Sequence, residues 1–180
     1  MMIEMQVMTR PDPAQIAPTP TQWRQAMGAF PTGVTIVTTW DELPDGSPDP
    51  VGSTINAFCS VSLDPALLLI CLDLKNPIRP ALERTRLFGV NILCSDSHAM
   101  AMRFASEPLN DRFLEFDWGA AQGGAPRLHA APVFLDCQVH DIHPAGDHLV
   151  IIGRGVGAHI DAQPAPLLYH RGAFPRLQGQ

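Results

Sequence analysis

Charge is scarce in this sequence, and none of it is concentrated. Only 17% of the 180 residues are Asp, Glu, Lys or Arg, the net charge is −6, and no run of Lys or Arg stands out. Affinity for nucleic-acid phosphate or anionic lipid comes from clustered positive charge, so neither a nucleic-acid nor a membrane partner is expected. Long hydrophobic runs are missing too. The longest, Ala66 to Leu72, falls far short of the roughly 20 residues needed to cross a bilayer as a helix. The four cysteines, Cys59, Cys71, Cys94 and Cys137, lie far apart in apolar stretches with no Cys-x-x-Cys spacing. They read as buried free thiols of a reducing, cytoplasmic setting rather than a secreted disulfide scaffold. The N-terminus, MMIEMQVMTRPDPAQIAPTP, lacks the basic-then-apolar pattern of a signal peptide. Residues 1–20 are expected to form a Pro-rich mobile arm, and 21–180 a single domain, a length that buries a sizeable core.

What is present is mostly strand. A short helix is predicted over Gln22–Ala29, capped by Thr19 or Thr21, with Trp23, Met27 and Phe30 as its apolar face. The β-branched run Gly33–Thr39 predicts a strand, and a Pro/Asp/Gly loop follows over Asp41–Pro50. VGSTINAFCSVS mixes strand formers with small polar residues, and the continuous run of ALLLICLDL predicts a strand buried on both faces. A helix over Pro77–Arg84 precedes the strand Leu87–Leu93, and a second, capped by Ser95 or Asp96, carries Met100 and Phe104 on one face. Asn110–Pro126 reads as irregular. Two long strands, Val133–Ile142 and Asp147–Ile160, close the chain around a turn at Pro144-Ala145-Gly146. About seven strands and three short helices, with no regular strand-helix alternation, predict an antiparallel barrel rather than a parallel sheet.

Other chemistries find little support. Gly153-Arg154-Gly155-Val156-Gly157 is Gly-rich, but His159-Ile160-Asp161 and Pro164 stand where a dinucleotide-binding loop needs a helix. Cys137, His140 and His143 do not make a zinc set, because strand alternation sends His140 to the opposite face. No Gly-x-Ser-x-Gly elbow marks a serine hydrolase.

Six blocks, in fixed order, carry a more specific signal: FPTGVTIVTT, GSTINAFCSVSLDPALLLICLDL, FGVNIL, RFA with DRF, GDHLVIIGRG, and PLLYHRGAF. From Trp23 to Phe174 the chain resembles the flavin reductase-like family. The resemblance implies a mainly β fold, the FMN-binding split barrel, antiparallel and Greek-key-like with a few short decorating helices. It also implies a homodimer that binds FMN or FAD, reduces flavin with NADH or NADPH, and supplies a partner monooxygenase. Hydride would pass from the nicotinamide to the flavin, a step that needs the reacting atoms held about 3–3.5 Å apart. No metal is implied. A flavin-binding carrier with little reductase activity, and an enzyme that keeps its flavin and reduces an organic substrate, are the alternative readings.

The resemblance also names residues. Ser53, Thr54, Ile55, Asn56 and Ala57, with the triplet Ser60-Val61-Ser62, would lie along the flavin, where small side chains let the backbone approach a flat ring. An ordinary strand with internally bonded hydroxyls is the alternative. Thr32 would join them from the first block. In the loop after the buried strand, relatives carry Ser or Thr where this chain has Lys75, Asn76 and Arg79. These would give a flavin phosphate charge-assisted contacts, or else form a solvated loop. Asn91 either meets a flavin edge or ties down neighbouring backbone. Arg103, Phe104, Arg112 and Phe113 belong to blocks near the flavin or the dimer contact, surface ion pairs being the alternative for the arginines. His148, in Gly146-Asp147-His148, would border flavin and nicotinamide as the catalytic side chain. Tyr169 would lie near the same pocket or pack at the dimer contact.

Overall fold

The computed structural model describes residues 17–161 and 164–177, so residues 1–16 of the expected arm lie outside the described residues. The end of that arm belongs to a helix. In α1, Pro20–Gly28, the Thr19 hydroxyl accepts from the Gln22 N–H while the Gln22 side chain accepts from the Thr19 N–H, a reciprocal capping box with Pro20 in the first turn. The strands are β1 (Thr32–Gly33), β2 (Thr35–Glu42), β3 (Pro48–Ile55), β4 (Phe58–Leu63), β5 (Ala66–Asp73), β6 (Leu87–Ile92), β7 (Trp118–Ala120), β8 (Pro126–Leu128), β9 (Val133–Ala145), β10 (His148–Ile160) and β11 (Leu168–Tyr169). Two further helices, α2 (Arg79–Thr85) and α3 (His98–Ser106), flank β6.

Seven strands pair antiparallel in the order β3-β2-β6-β9-β10-β5-β4. Laid flat, six strand spacings would hold β3 and β4 roughly 29 Å apart. Yet only Asn56 and Ala57 connect them, and the three Cα steps from Ile55 to Phe58 reach at most about 11 Å. The sheet must therefore curl until its edge strands meet at that joint. The result is the antiparallel barrel that the sequence predicts, split where β3 passes into β4. Inside it Val37, Ile70, Leu72, Phe88, Val90, Cys137 and Ile151 form one buried cluster. A second cluster, with Ile36, Leu93, Met100, Phe104 and Phe113, seats α3 on the barrel. Gly52 permits that seating, since a Cβ there would stand 2.8 Å from the Phe104 ring.

Several elements differ from expectation, each for a local reason. The hairpin turn is Gly146-Asp147 rather than Pro144–Gly146, because Ala145 already pairs with His148 and Gly146 takes the left-handed backbone (φ 65°) that a two-residue turn needs. The N-cap of α3 is Ser97, not Ser95 or Asp96, and its side chain makes no capping bond. Strand β3 begins at Pro48, inside the expected loop, since β2 extends to Glu42 and pairs with it. The irregular 110–126 stretch contains β7, which pairs with β8. Asp136 on β9 holds their turn, accepting the Gly123 N–H at 2.7 Å. Strand β5 is buried on its inner face only. Leu68, Ile70 and Leu72 point inward, while Leu67, Leu69 and Cys71 stay half-buried outside. The apolar face of α1 is uncovered as well, with Trp23 and Met27 on the helix and Phe30 just beyond its end each more than half exposed. Among the described residues no helix is long and apolar enough to cross a membrane.

Candidate functional site

The joint that closes the barrel also opens a cleft. Asn56 and Ala57, both exposed, form its floor, while α1 and the segment after β11 form its walls. The lining is Arg24, Gln25, Met27, Gly28, Phe30, Thr32, Asn56, Ala57, Tyr169, Arg171 and Gly172, around a volume of about 840 Å³. That size suits a cofactor-scale ligand. The walls are pinned by few contacts. Thr32 and Gly33 pair with Tyr169 and Leu168, Asn56 Nδ2 donates to Thr32 Oγ1 at 3.2 Å, and Arg171 N donates to the Gly28 carbonyl at 3.2 Å. The Ala57 carbonyl accepts from Cys71 N at 3.0 Å, so β5 fixes the floor from beneath. Thr32, Asn56, Ala57 and Tyr169 are thus brought together.

A second group gathers at the end of β5. His148 opens β10 opposite Asp73, and its Nδ1 lies 2.7 Å from Asp147 Oδ1. That hydrogen bond holds the exposed Asp147 carboxyl below the usual carboxylate range, with nearby Lys75 adding in the same direction. Asn76 Nδ2 donates to Ser53 Oγ at 3.1 Å, tying the loop after β5 to β3. Arg79 Nη1 lies 3.8 Å from Glu83, while its Nε is buried with no hydrogen-bond partner among the described residues. Lys75, Asn76, Arg79, Ser53 and His148 therefore share one end of the barrel. Helix α2 spans only Arg79–Thr85 and has no side-chain cap, so the positive charge at this end comes from the side chains of Lys75 and Arg79, which stand among the carboxylates of Asp73, Glu83 and Asp147.

The remaining expected residues go elsewhere. Thr54 spends its hydroxyl on the Ala101 carbonyl of α3, 2.7 Å away, and Ile55 is buried in the barrel core. Ser60 and Ser62 line a separate apolar hollow with Leu67, Leu135 and Ala158, and Val61 is the unpaired residue of a bulge between them. Asn91 is fully buried. Its Nδ2 donates to the Ile36 carbonyl and Thr38 Oγ1, and its Oδ1 accepts from Leu128 N, so its amide ties strands together and has no exposed atom for a ligand. Arg112, also buried, donates to the carbonyls of Glu107 and Gly52 rather than forming a surface ion pair. Phe113 packs edge-on against Phe104. Arg103 does pair on the surface, with Glu115 at 3.0 Å. Burial pushes the Cys137 thiol up to about 12, which leaves it an inert core residue. Arg24, Gln25, Met27, Phe30, Arg171 and Gly172 join the cleft, and Asp147 pairs with His148, without any local sequence signal marking them as site residues.

A barrel closed at a two-residue joint, with a cleft at the joint and a loop carrying Lys75 and Arg79 beyond it, invites comparison with known proteins. The sequence profile of the flavin reductase like domain matches residues 27–178. The chain belongs to this family. Among family members, the "Flavin reductase (NADH)" of Kitasatospora aureofaciens is 42% identical over 154 residues, covering 83% of this chain and 78% of its own. The "Stachydrine N-demethylase reductase subunit Stc3" of Rhizobium meliloti is 39% identical over 155 residues, 86% of this chain. The chain spans 65% of that relative's length and 50% of a second Rhizobium meliloti relative's. Of solved family structures, the Streptomyces globisporus NADH:FAD oxidoreductase SgcE6, in complex with NAD and FAD fragments, superposes with a TM-score of 0.81 at 31% identity. That match covers 95% of this chain and 98% of SgcE6.

Proposed function

We propose that this protein is an NAD(P)H-dependent flavin reductase that supplies reduced flavin to a partner monooxygenase and works as a homodimer. The observation that carries the reading is the cleft at the β3–β4 joint, a cofactor-sized opening floored by small residues in a chain of the flavin reductase like domain family. The names of the relatives support it, one being a reductase that uses NADH and another the reductase subunit of a demethylase.

The residues present fit a phosphorylated flavin. Asn56 and Ala57 offer a low floor on which a flat ring can lie, and Lys75, Asn76 and the partly exposed guanidinium of Arg79 offer donors for its phosphate. When bound, a flavin supplies the two-electron chemistry, taking hydride from a reduced nicotinamide and passing the electrons onward. The chain's own part is positioning. Thr32 and Asn56, bonded to each other, hold the floor in register with β11. Asp147 anchors the imidazole of His148 through Nδ1, leaving Nε2 as the ring atom that a ligand can meet. Flavin titration followed by fluorescence tests the site, and His148→Ala tests the role. The substitution should lower kcat/KM for NADH by roughly 10- to 100-fold while leaving flavin affinity within about twofold. Equal turnover in variant and parent would remove His148 from the reaction.

The outward residues of the central strands support the homodimer. Cys71 sits opposite Val150 and Leu69 opposite Ile152, forming a half-buried apolar patch that continues to Leu67. Patches of this kind on a sheet face mark association surfaces. Leu69→Arg should shift sedimentation from dimer to monomer; an unshifted dimer would place the contact elsewhere.

A further inference from the structure

The cleft holds two guanidinium groups and no carboxylate. Arg24 and Gly28 are four residues apart on α1, so they lie on one face of the helix. Against Gly28 sits Arg171, whose N–H donates to the Gly28 carbonyl and whose Cα lies 3.9 Å from where a Gly28 Cβ would be. Arg171 also adopts a left-handed backbone, φ 51°, uncommon for a residue with a side chain. Arg24 on α1 and Arg171 after β11 thus both line the cleft, with Met27, Phe30 and Tyr169 as apolar lining beside them. Arg24 and Arg171 have no carboxylate partner among the described residues, a state they share with Arg86, Arg112 and Arg154, but only these two line the cleft. A cleft lined by two cations and no carboxylate favours an anionic ligand.

Strand β3 separates these arginines from Lys75, Asn76 and Arg79. Asn76 bonds to Ser53, and the cleft floor begins at Asn56. Three residues of strand are about 10 Å, too far for one phosphate to serve both sites. Two anion-binding positions along one strand fit two phosphorylated ligands. We infer that Arg24 and Arg171 grip the pyrophosphate of the reduced nicotinamide dinucleotide, leaving the phosphate of the flavin to Lys75, Asn76 and Arg79. The inference rests on the reductase reading and adds to it which donors the cleft accepts: phosphorylated dihydronicotinamides over phosphate-free ones.

The test uses the full chain with added FMN and the variants Arg24→Gln, Arg171→Gln and their double. For each single variant kcat/KM for NADH should fall about tenfold or more through KM, since a charge-assisted contact is lost. Oxidation of N-benzyl-dihydronicotinamide, which has no phosphate, should stay within about twofold of the parent. Binding of ADP-ribose, measured by calorimetry, should weaken in parallel with the NADH loss, and Arg24→Lys and Arg171→Lys should recover part of it. An equal loss with the phosphate-free donor would mean a disturbed cleft and overturn the inference. A loss of affinity for FMN but not riboflavin would assign the arginines to the flavin phosphate and overturn it as well. So would a loss confined to NADPH, which would move the contact to the 2′-phosphate. If the parent oxidises neither donor, the reductase reading itself fails and the inference falls with it.

Discussion

Ala57→Trp should abolish flavin binding while leaving the barrel folded. Ala57 is exposed in the joint between β3 and β4, and its structural duty is performed by its backbone carbonyl, which accepts from Cys71 N at 3.0 Å. An indole there fills the cleft floor without touching that bond. The expected loss in flavin affinity is on the order of 100-fold or more, because the ring can no longer reach the floor. Flavin-dependent NADH oxidation should drop to background, while the stability to urea stays within about 0.5 kcal/mol, as for most exposed substitutions. A variant that unfolds would mean the joint cannot accept the side chain, and the smaller Ala57→Leu then reads the same effect. Parental flavin affinity in a folded Ala57→Trp would place the flavin elsewhere.

The opposite pattern is expected at Asn91. Asn91→Leu keeps the approximate volume but removes three hydrogen bonds, from Nδ2 to the Ile36 carbonyl at 3.1 Å and Thr38 Oγ1 at 3.3 Å, and from Leu128 N to Oδ1 at 2.9 Å. The Leu128 N–H would be left buried without an acceptor. Such losses should destabilise the fold by roughly 2–4 kcal/mol, measured as a lowered urea midpoint at unchanged slope. Flavin affinity of the folded fraction should remain parental. Lost flavin affinity at full stability would instead put the Asn91 amide on the cofactor.

These two residues illustrate what local sequence carries and what it does not. Asn91 was visible as a polar residue in an apolar strand, but its duty depends on Ile36, Thr38 and Leu128, which only the folded barrel assembles. The β-branched run of β2, the capping signal at Thr19 and the long strands β9 and β10 were legible because each depends on neighbouring residues. The β7–β8 ladder was not, because Gly119, Gly123 and Gly124 have a loop's composition and Asp136 on β9 holds their turn. The apolar run of β5 reads as buried on both faces, yet one chain covers only the inner one. The resemblance picked out Asn56, Ala57, Thr32 and Tyr169, which do meet. It did not single out Arg24 or Arg171, which stand near opposite ends of the chain and line one cleft only in the folded barrel.

The most direct test of the central claim is the oxidation of NADH and NADPH by the purified full chain under air, with FMN, FAD or riboflavin, followed by absorbance of the reduced nucleotide. A reductase should show oxidation that requires added flavin, with turnover on the order of 1 s⁻¹ or faster for the preferred pair. Oxidation no faster than in the absence of protein, with flavin bound, would contradict that claim.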